Sequence, residues 1–266
     1  MERAPAADPR ARPGVDPLPQ ILEKTKAYCN RLATASLYFV CREKIDERQF
    51  NPPLRFSSSV VGGSRHVSGV SLEYDYQLVR SGAPGGEKLE EKRTLLKEDG
   101  QPRNEPNAAL KTKLYKHKYL VFGPVALLGE YWQPRHLYRY LGEDNVDGAK
   151  AFLIEAGPAG PPEPDMIYGK VWVREKDFAI VKIEWDQRCL GNFDQVKRTA
   201  RMIGHGAEPR ISIIGLYGIE KNGIRFPDRL TTLEDYDSNG GILRVSETMV
   251  VYRDYKFFLV QTEVHY

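Results

Sequence analysis

Residues 169–185 read GKVWVREKDFAIVKIEW. Two runs rich in branched and aromatic residues flank a polar turn, Glu175-Lys176-Asp177, so the stretch predicts a β-hairpin. A second unit of this kind spans Ile211 to Leu233 and turns at Lys221-Asn222-Gly223. Asn-Gly between such runs is the strongest short hairpin signal. A third turn, Asn239-Gly240-Gly241, precedes a long strand ending in Tyr255-Lys256-Phe257-Phe258. The C-terminal part of the chain therefore predicts a near-unbroken series of antiparallel strands. So much curved sheet with so little helix needs something to fill its concave side, and the filling is the functional question.

Toward the N-terminus the same pattern recurs. Val70, Leu72, Tyr74, Tyr76 and Leu78 alternate with Ser71, Glu73, Asp75 and Gln77, which predicts a strand with one apolar and one wet face. Glu87 to Lys97 predicts its return strand, across a Ser81–Gly86 loop rich in glycine. Tyr38-Phe39-Val40-Cys41 opens an earlier strand, and Pro52 and Pro53 interrupt the stretch after it. Before it, Asp16-Pro17 has the form of an N-cap with proline at the first helical position. Leu18, Ile21, Leu22, Thr25, Cys29 and Leu32 fall at helical spacing, so Leu18–Leu32 predicts an amphipathic helix. Residues 1–16 have the composition of a tail or linker, and 17–266 are expected to form one domain. The middle is less regular. Gln101–Asn107 is polar and broken by Pro102 and Pro106, Ala108–Lys118 suits a short helix, and FGPVALL at 122–128 suits a short helix or buried loop. Strands resume at His136–Leu141 and Lys150–Glu155, and 157–164 is a loop.

Composition narrows the function. The 266 residues carry a formal net charge of +3, without a basic stripe interleaved with aromatics, so nucleic acid is not an expected partner. The strongest apolar run, Phe122–Leu128, is far short of the roughly 20 residues a membrane-spanning helix needs. No signal-peptide apolar segment is visible at the N-terminus. Cys29, Cys41 and Cys189 form no C-x-x-C pair. Cys29 and Cys41 could bridge if the helix packs on the following strand, or could be two small buried hydrophobes.

Catalytic and cofactor motifs do not assemble. GAPGGEK at 82–88 lacks the Gly-Lys-Ser/Thr of a phosphate loop. Gly204-His205-Gly206 runs into Pro209 with no βαβ unit around it. His66, His117, His136, His205 and His265 show no metal-ligand spacing, so no metal and no cofactor are expected. Glu73 and Asp75 share a strand face and could pair as carboxylates, although a solvated face explains them as well. Glu234 and Asp235 project to opposite faces if they lie on a strand. Lys111, Lys113, Lys116 and Lys118 precede the apolar 122–128 patch; they read either as a basic lip toward an anionic membrane or as a solvated face.

The order of elements, with GKVWVREKDFAIVKIEW followed by NGIRFPDRLTTLEDY, resembles the LolA/LolB-like superfamily of lipoprotein-sorting and lipid-carrier proteins. Val171-Trp172-Val173-Arg174 and Ile180-Val181-Lys182-Ile183 match that family's hairpin in outline, and Ile224-Arg225-Phe226-Pro227 its later strand. Arg174 stands where an acidic residue is common, and no proline precedes Lys182. The resemblance runs in element order over roughly residues 18–260. It implies a mostly β, α+β fold: a strongly curved antiparallel sheet forming an open half-barrel over an N-terminal helix. It also implies a periplasmic or cell-envelope location, with a signal peptide absent from this chain.

The expected function is that of a non-enzymatic binding protein, holding a lipid, an acyl chain or a lipoprotein in an apolar concavity. Aromatic surface takes apolar ligands without satisfying many polar groups. Alternation and the irregular centre nominate Tyr74, Tyr76, Phe122, Leu127, Leu128, Trp132, Tyr138, Tyr140 and Trp172 as lining residues. Two alternatives stay open: a sensor or interaction module that contacts envelope proteins or a membrane surface, and an enzyme on the same scaffold.

Overall fold

The computed structural model describes residues 16–35, 39–50, 67–81, 88–112, 123–162, 166–190, 193–203, 206–238 and 241–258. The 1–15 tail, Tyr38, Pro52, Pro53, the 82–86 loop, Lys113, Lys116, Lys118, Phe122, the 163–164 part of the expected loop and the Asn239-Gly240 turn lie outside these.

Helix α1 is Leu18–Ala35. The Leu18 N–H donates to Asp16 Oδ1 at 3.0 Å, so Asp16 caps it as its position before Pro17 suggests. Ile21, Thr25, Tyr28, Cys29 and Leu32 form its buried stripe. The strands are β1 (Phe39–Phe50), β2 (Val67–Ser81), β3 (Lys88–Glu98), β4 (Gln101–Glu105), β5 (His136–Val146), β6 (Ala149–Pro158), β7 (Gly169–Arg174), β8 (Ile180–Trp185), β9 (Glu208–Leu216), β10 (Ile219–Lys221), β11 (Ile224–Phe226), β12 (Arg229–Ser238) and β13 (Gly241–Phe257). Two further helices are α2, Gly123–Leu128, and α3, Phe193–Ile203.

Eleven strands form one curved antiparallel sheet in the order β4-β3-β2-β1-β13-β12-β9-β8-β7-β6-β5. The edges β4 and β5 do not meet, so the sheet is an open half-barrel. The 169–185 hairpin is β7–β8, with Val171 opposite Ile183. Gly169, at φ 152° on β7, sits where a Cβ would lie 2.2 Å from the Glu184 carbonyl oxygen, which only glycine permits.

Four sequence expectations change. The strand series is interrupted by α3, whose Val196 and Ala200 are buried at helical spacing. The 211–233 hairpin turns at Asn222-Gly223 as expected, at φ 53° and 72°. Its long arms β9 and β12, however, are joined through a separate two-stranded sheet, β10–β11. Residues 108–112 are not helical. The proline-broken 101–105 stretch is strand β4: Asp99-Gly100, at φ 49° and 77°, makes a tight turn, and an edge strand tolerates Pro102.

Burial divides the sheet. On β1 and β2, Phe39, Cys41, Glu43, Ile45, Glu47, Leu72, Tyr74, Tyr76 and Leu78 face inward while their neighbours face water. α1 packs on α2, β11 and β5. Gln133 Nε2 donates to the carbonyls of Leu22 and Leu128 at 2.8 and 2.9 Å, and Lys24 Nζ lies 4.7 Å from the Phe178 ring. Cys29, Cys41 and Cys189 are free thiols; Cys29 packs at Pro124 of α2, not at Cys41.

Candidate functional site

The inward face has an apolar part and a polar part, set by which side chains alternation turns inward. The apolar part lies under α1 and α2. Leu127 and Leu128 are fully buried there, with Ile154, Val171, Val173 and Ile183 from the sheet. Gly123, at the start of α2, is so close that an added Cβ would lie 3.1 Å from the Trp185 ring and 3.3 Å from the Tyr217 hydroxyl. The Tyr138 hydroxyl donates to the Leu127 carbonyl at 2.6 Å and ties α2 to β5. Burial pushes that phenol up from its ordinary range.

The apolar part continues across the sheet as an aromatic cluster. Phe39 and Phe226 meet edge to face at 5.4 Å between centroids, and Tyr255 and Phe257 stack beside them. Such geometries follow the ring quadrupoles. The Tyr255 hydroxyl donates to the Pro227 carbonyl at 2.6 Å.

The polar part centres on Glu43 of β1, which is fully buried. Arg93 of β3 grips it with two N–H groups, at 2.6 and 3.1 Å, and the Tyr252 hydroxyl donates to it at 2.8 Å. Arg93 also donates to Glu91 at 3.0 Å, and Tyr76 donates to the other Glu91 oxygen at 3.1 Å. Burial alone would lower the Arg93 pKa, but the adjoining Glu43 carboxylate holds it above its usual value. In such a buried bidentate pair the two charges compensate each other, and removal of either leaves the other uncompensated.

The nominated lining residues divide among these regions. Leu127, Leu128 and Tyr138 meet under α1. Trp132 does not join them: it lies in the turn after α2, where its ring meets that of Tyr131 edge to face at 5.3 Å, while Tyr140 packs on Phe152 at 6.4 Å. Tyr74 and Tyr76 stand at the other end: the Tyr74 hydroxyl accepts from the Lys111 N–H at 3.3 Å, and Tyr76 lies under the Arg93 guanidinium at 4.9 Å. Trp172 is on the opposite face. Alternation turns Val171 and Val173 inward, so Trp172 packs outward with Ala151 and Val181. Its indole N–H donates to Asp144 at 2.8 Å, and Lys182 Nζ lies 3.9 Å over its ring. Phe122 is outside the described residues.

The candidate catalytic groups do not converge. Glu73 is on the wet face, paired with Arg42 at 3.1 Å and Lys97 at 3.0 Å, and Asp75 lies 3.6 Å from the same Arg42. Both ring nitrogens of buried His136 face backbone carbonyls, those of Trp132 at 3.0 Å and Ile167 at 2.8 Å. Lys111 is bound to Glu98 and Glu105, at 3.3 and 3.2 Å. Glu234 faces inward, whereas Asp235 faces out to Arg244 at 2.8 Å. An open cleft of about 780 Å³ lies where β5, β6, β7 and β8 end, lined by wet-face charges such as Arg139, Glu155, Lys170 and Glu184. The residues missed in the sequence were Glu43, Glu47 and Arg93. In CREKIDERQF six of the ten positions are charged, and only the phase set by Phe39, Cys41 and Ile45 marks Glu43 and Glu47 as the inward ones.

No protein-family model matches the chain, and no curated protein matches it. Solved structures similar to it include a DUF1329 family protein from Desulfovibrio piger, at 12% identity and TM-score 0.43, covering 94% of this chain and 96% of that one. A LolA superfamily protein from Nitrosomonas europaea aligns at 13% identity and TM-score 0.38, over 91% and 94%. A Vibrio parahaemolyticus domain named for outer membrane lipoprotein sorting aligns at 9% identity and TM-score 0.39, over 92% and 95%. The fold stands on the strand order and register of the chain itself.

Proposed function

We propose that this protein is a non-enzymatic carrier that holds an acyl chain, or another amphiphile, against the inward face of its sheet. One observation carries the proposal. The sheet is unclosed, part of its inward face is apolar and aromatic, and a six-residue helix, α2, covers some of that part. A closed barrel would seal such a surface permanently. Here the six residues of α2 bury Leu127 and Leu128 against the sheet. An acyl chain displacing those side chains would find Ile183, Trp185, Tyr217 and Tyr138 beneath. Apolar ligand surface leaving water contributes about 25 cal/mol per Å², so binding needs no covalent step. A cell-envelope location goes with this reading and is part of the proposal.

The test is native mass spectrometry and solvent extraction of the purified protein, followed by titration of the delipidated protein with a fluorescent fatty acid. Co-purifying lipid, or saturable uptake competed by unlabelled fatty acid, is the expected result. Absence of both overturns the proposal.

A further inference from the structure

The two edges of the sheet are finished differently. β4 has five residues, all exposed, and one of them is Pro102, which has no N–H to offer a further strand. β5 has eleven residues and no proline, and no strand among the described residues pairs with its free side. Its Leu137 and Leu141 are 66% and 38% exposed. A long edge with unpaired backbone groups and uncovered leucines is a template for another strand.

The side chains of β5 define which strand fits. Tyr140 is opposite Ile154 of β6 and Gly142 is opposite Leu153, so Leu141 is the extra residue of a bulge that breaks the alternation. Leu137 and Arg139 before the bulge therefore share the outward face with Asp144 and Val146 after it. Tyr140 shares the inward face with Glu143, which stands opposite Phe152, the ring on which Tyr140 packs. A straight strand from another protein would lose its alternation at the bulge, whereas a second β5 carries the same bulge. In an antiparallel pair with Leu141 opposite Gly142 of the second copy, Arg139 falls opposite Asp144, Leu137 opposite Val146 and Tyr140 opposite Glu143, each pair sharing a face.

We propose that two copies of this chain dimerise by antiparallel pairing of their β5 edges, about a two-fold axis between Leu141 and Gly142. The outward charges support this register. Across β5, β6, β7 and β8 the opposed residues Arg139, Glu155, Lys170 and Glu184 alternate in sign. The row ends at the edge on a cation, and Asp144 of the second copy continues it with an anion. Arg139, with its side chain 70% exposed, binds Glu155 through Nε and Nη2 at 3.0 and 2.6 Å, which leaves Nη1 for Asp144. The contact is isologous: each copy spends its one open edge, so assembly stops at two. Both inward faces then lie on the same side of one continuous sheet.

Sedimentation equilibrium of the full chain, at concentrations up to about 1 mM, is expected to show a concentration-dependent dimer. In the dilute monomer β5 is an edge strand whose amides exchange fast; they should slow as concentration rises, while those of β4 do not. Arg139→Glu or Asp144→Arg alone sets like charges opposite each other twice per dimer, so each should weaken dimerisation roughly ten-fold or more. Mixing the two variants should restore it, because each then meets the opposite charge in its partner. Both substitutions in one chain should restore it as well, and that variant carries the test if circular dichroism shows a single one misfolded. A monomer throughout the range overturns the proposal. So does a dimer that the single reversals leave unchanged or that neither combination restores. Slow β5 exchange at every dilution would mean that the edge is covered within the chain, and overturns it too.

Discussion

Glu43 and Arg93 form a buried pair whose halves need each other. Removing one partner leaves an uncompensated charge, which costs about 3–5 kcal/mol. Glu43→Gln and Arg93→Met should each lower stability by that order in urea denaturation, whereas Glu43→Met combined with Arg93→Met should cost clearly less than their sum. Strict additivity would mean that the two do not act as a pair. On the outer face, the Trp172 indole N–H holds the Asp144 carboxyl below the usual carboxylate range. A lowered folded-state value means that its stabilisation is present above the ordinary aspartate range and is lost as pH falls through the lower folded value. Trp172 fluorescence should therefore change in acid at a pH below the ordinary aspartate range, and Asp144→Asn should abolish that step. A step at or above the ordinary range would contradict the contact. Burial raises the thiols of Cys29 and Cys41 and pushes that of Cys189 up to about 12. At pH 8 a thiol reagent should label the folded protein slowly and all three cysteines in denaturant; rapid labelling of the native protein would be inconsistent with these sites.

The hairpins owe their turns to local chemistry, and most were legible because that chemistry is local. Asn222-Gly223 needs positive φ at both residues, which few other pairs accept. Asp99-Gly100 obeys the same rule, yet Pro102 after it concealed β4, because the tolerance of an edge strand for proline depends on having a neighbour on one side only. α3 carries Val196 and Ala200 at helical spacing within a region otherwise rich in strands, so its period was submerged in theirs. Gly169 is where element and backbone meet most closely. Gly169→Ala would drive a Cβ into the Glu184 carbonyl at a φ that L-residues avoid, so a loss of at least about 2 kcal/mol is expected in thermal or urea denaturation. A neutral result would mean that β7 and β8 are not so close there.

Across the whole molecule, one sheet of eleven strands has two edges, β4 and β5, that are unmatched among the described residues. Amide exchange should be slowest in β1, β12 and β13 at its centre and fastest in β4 and β5; equal protection of β4 and β5 would argue for closure. The sequence alone determined the strand periodicities, the Asp16-capped helix and the turns, because each arises from residues near one another along the chain. Only the tertiary structure decided which face of each strand is inward relative to the others. It put Glu43 and Arg93 together from separate strands, sent Trp172 outward while Tyr138 went inward, and aligned Glu47, Thr248 and Thr232 in one row. Strand register is a long-range property: a slip of one residue reverses every side chain, and nothing in a single strand records its partner.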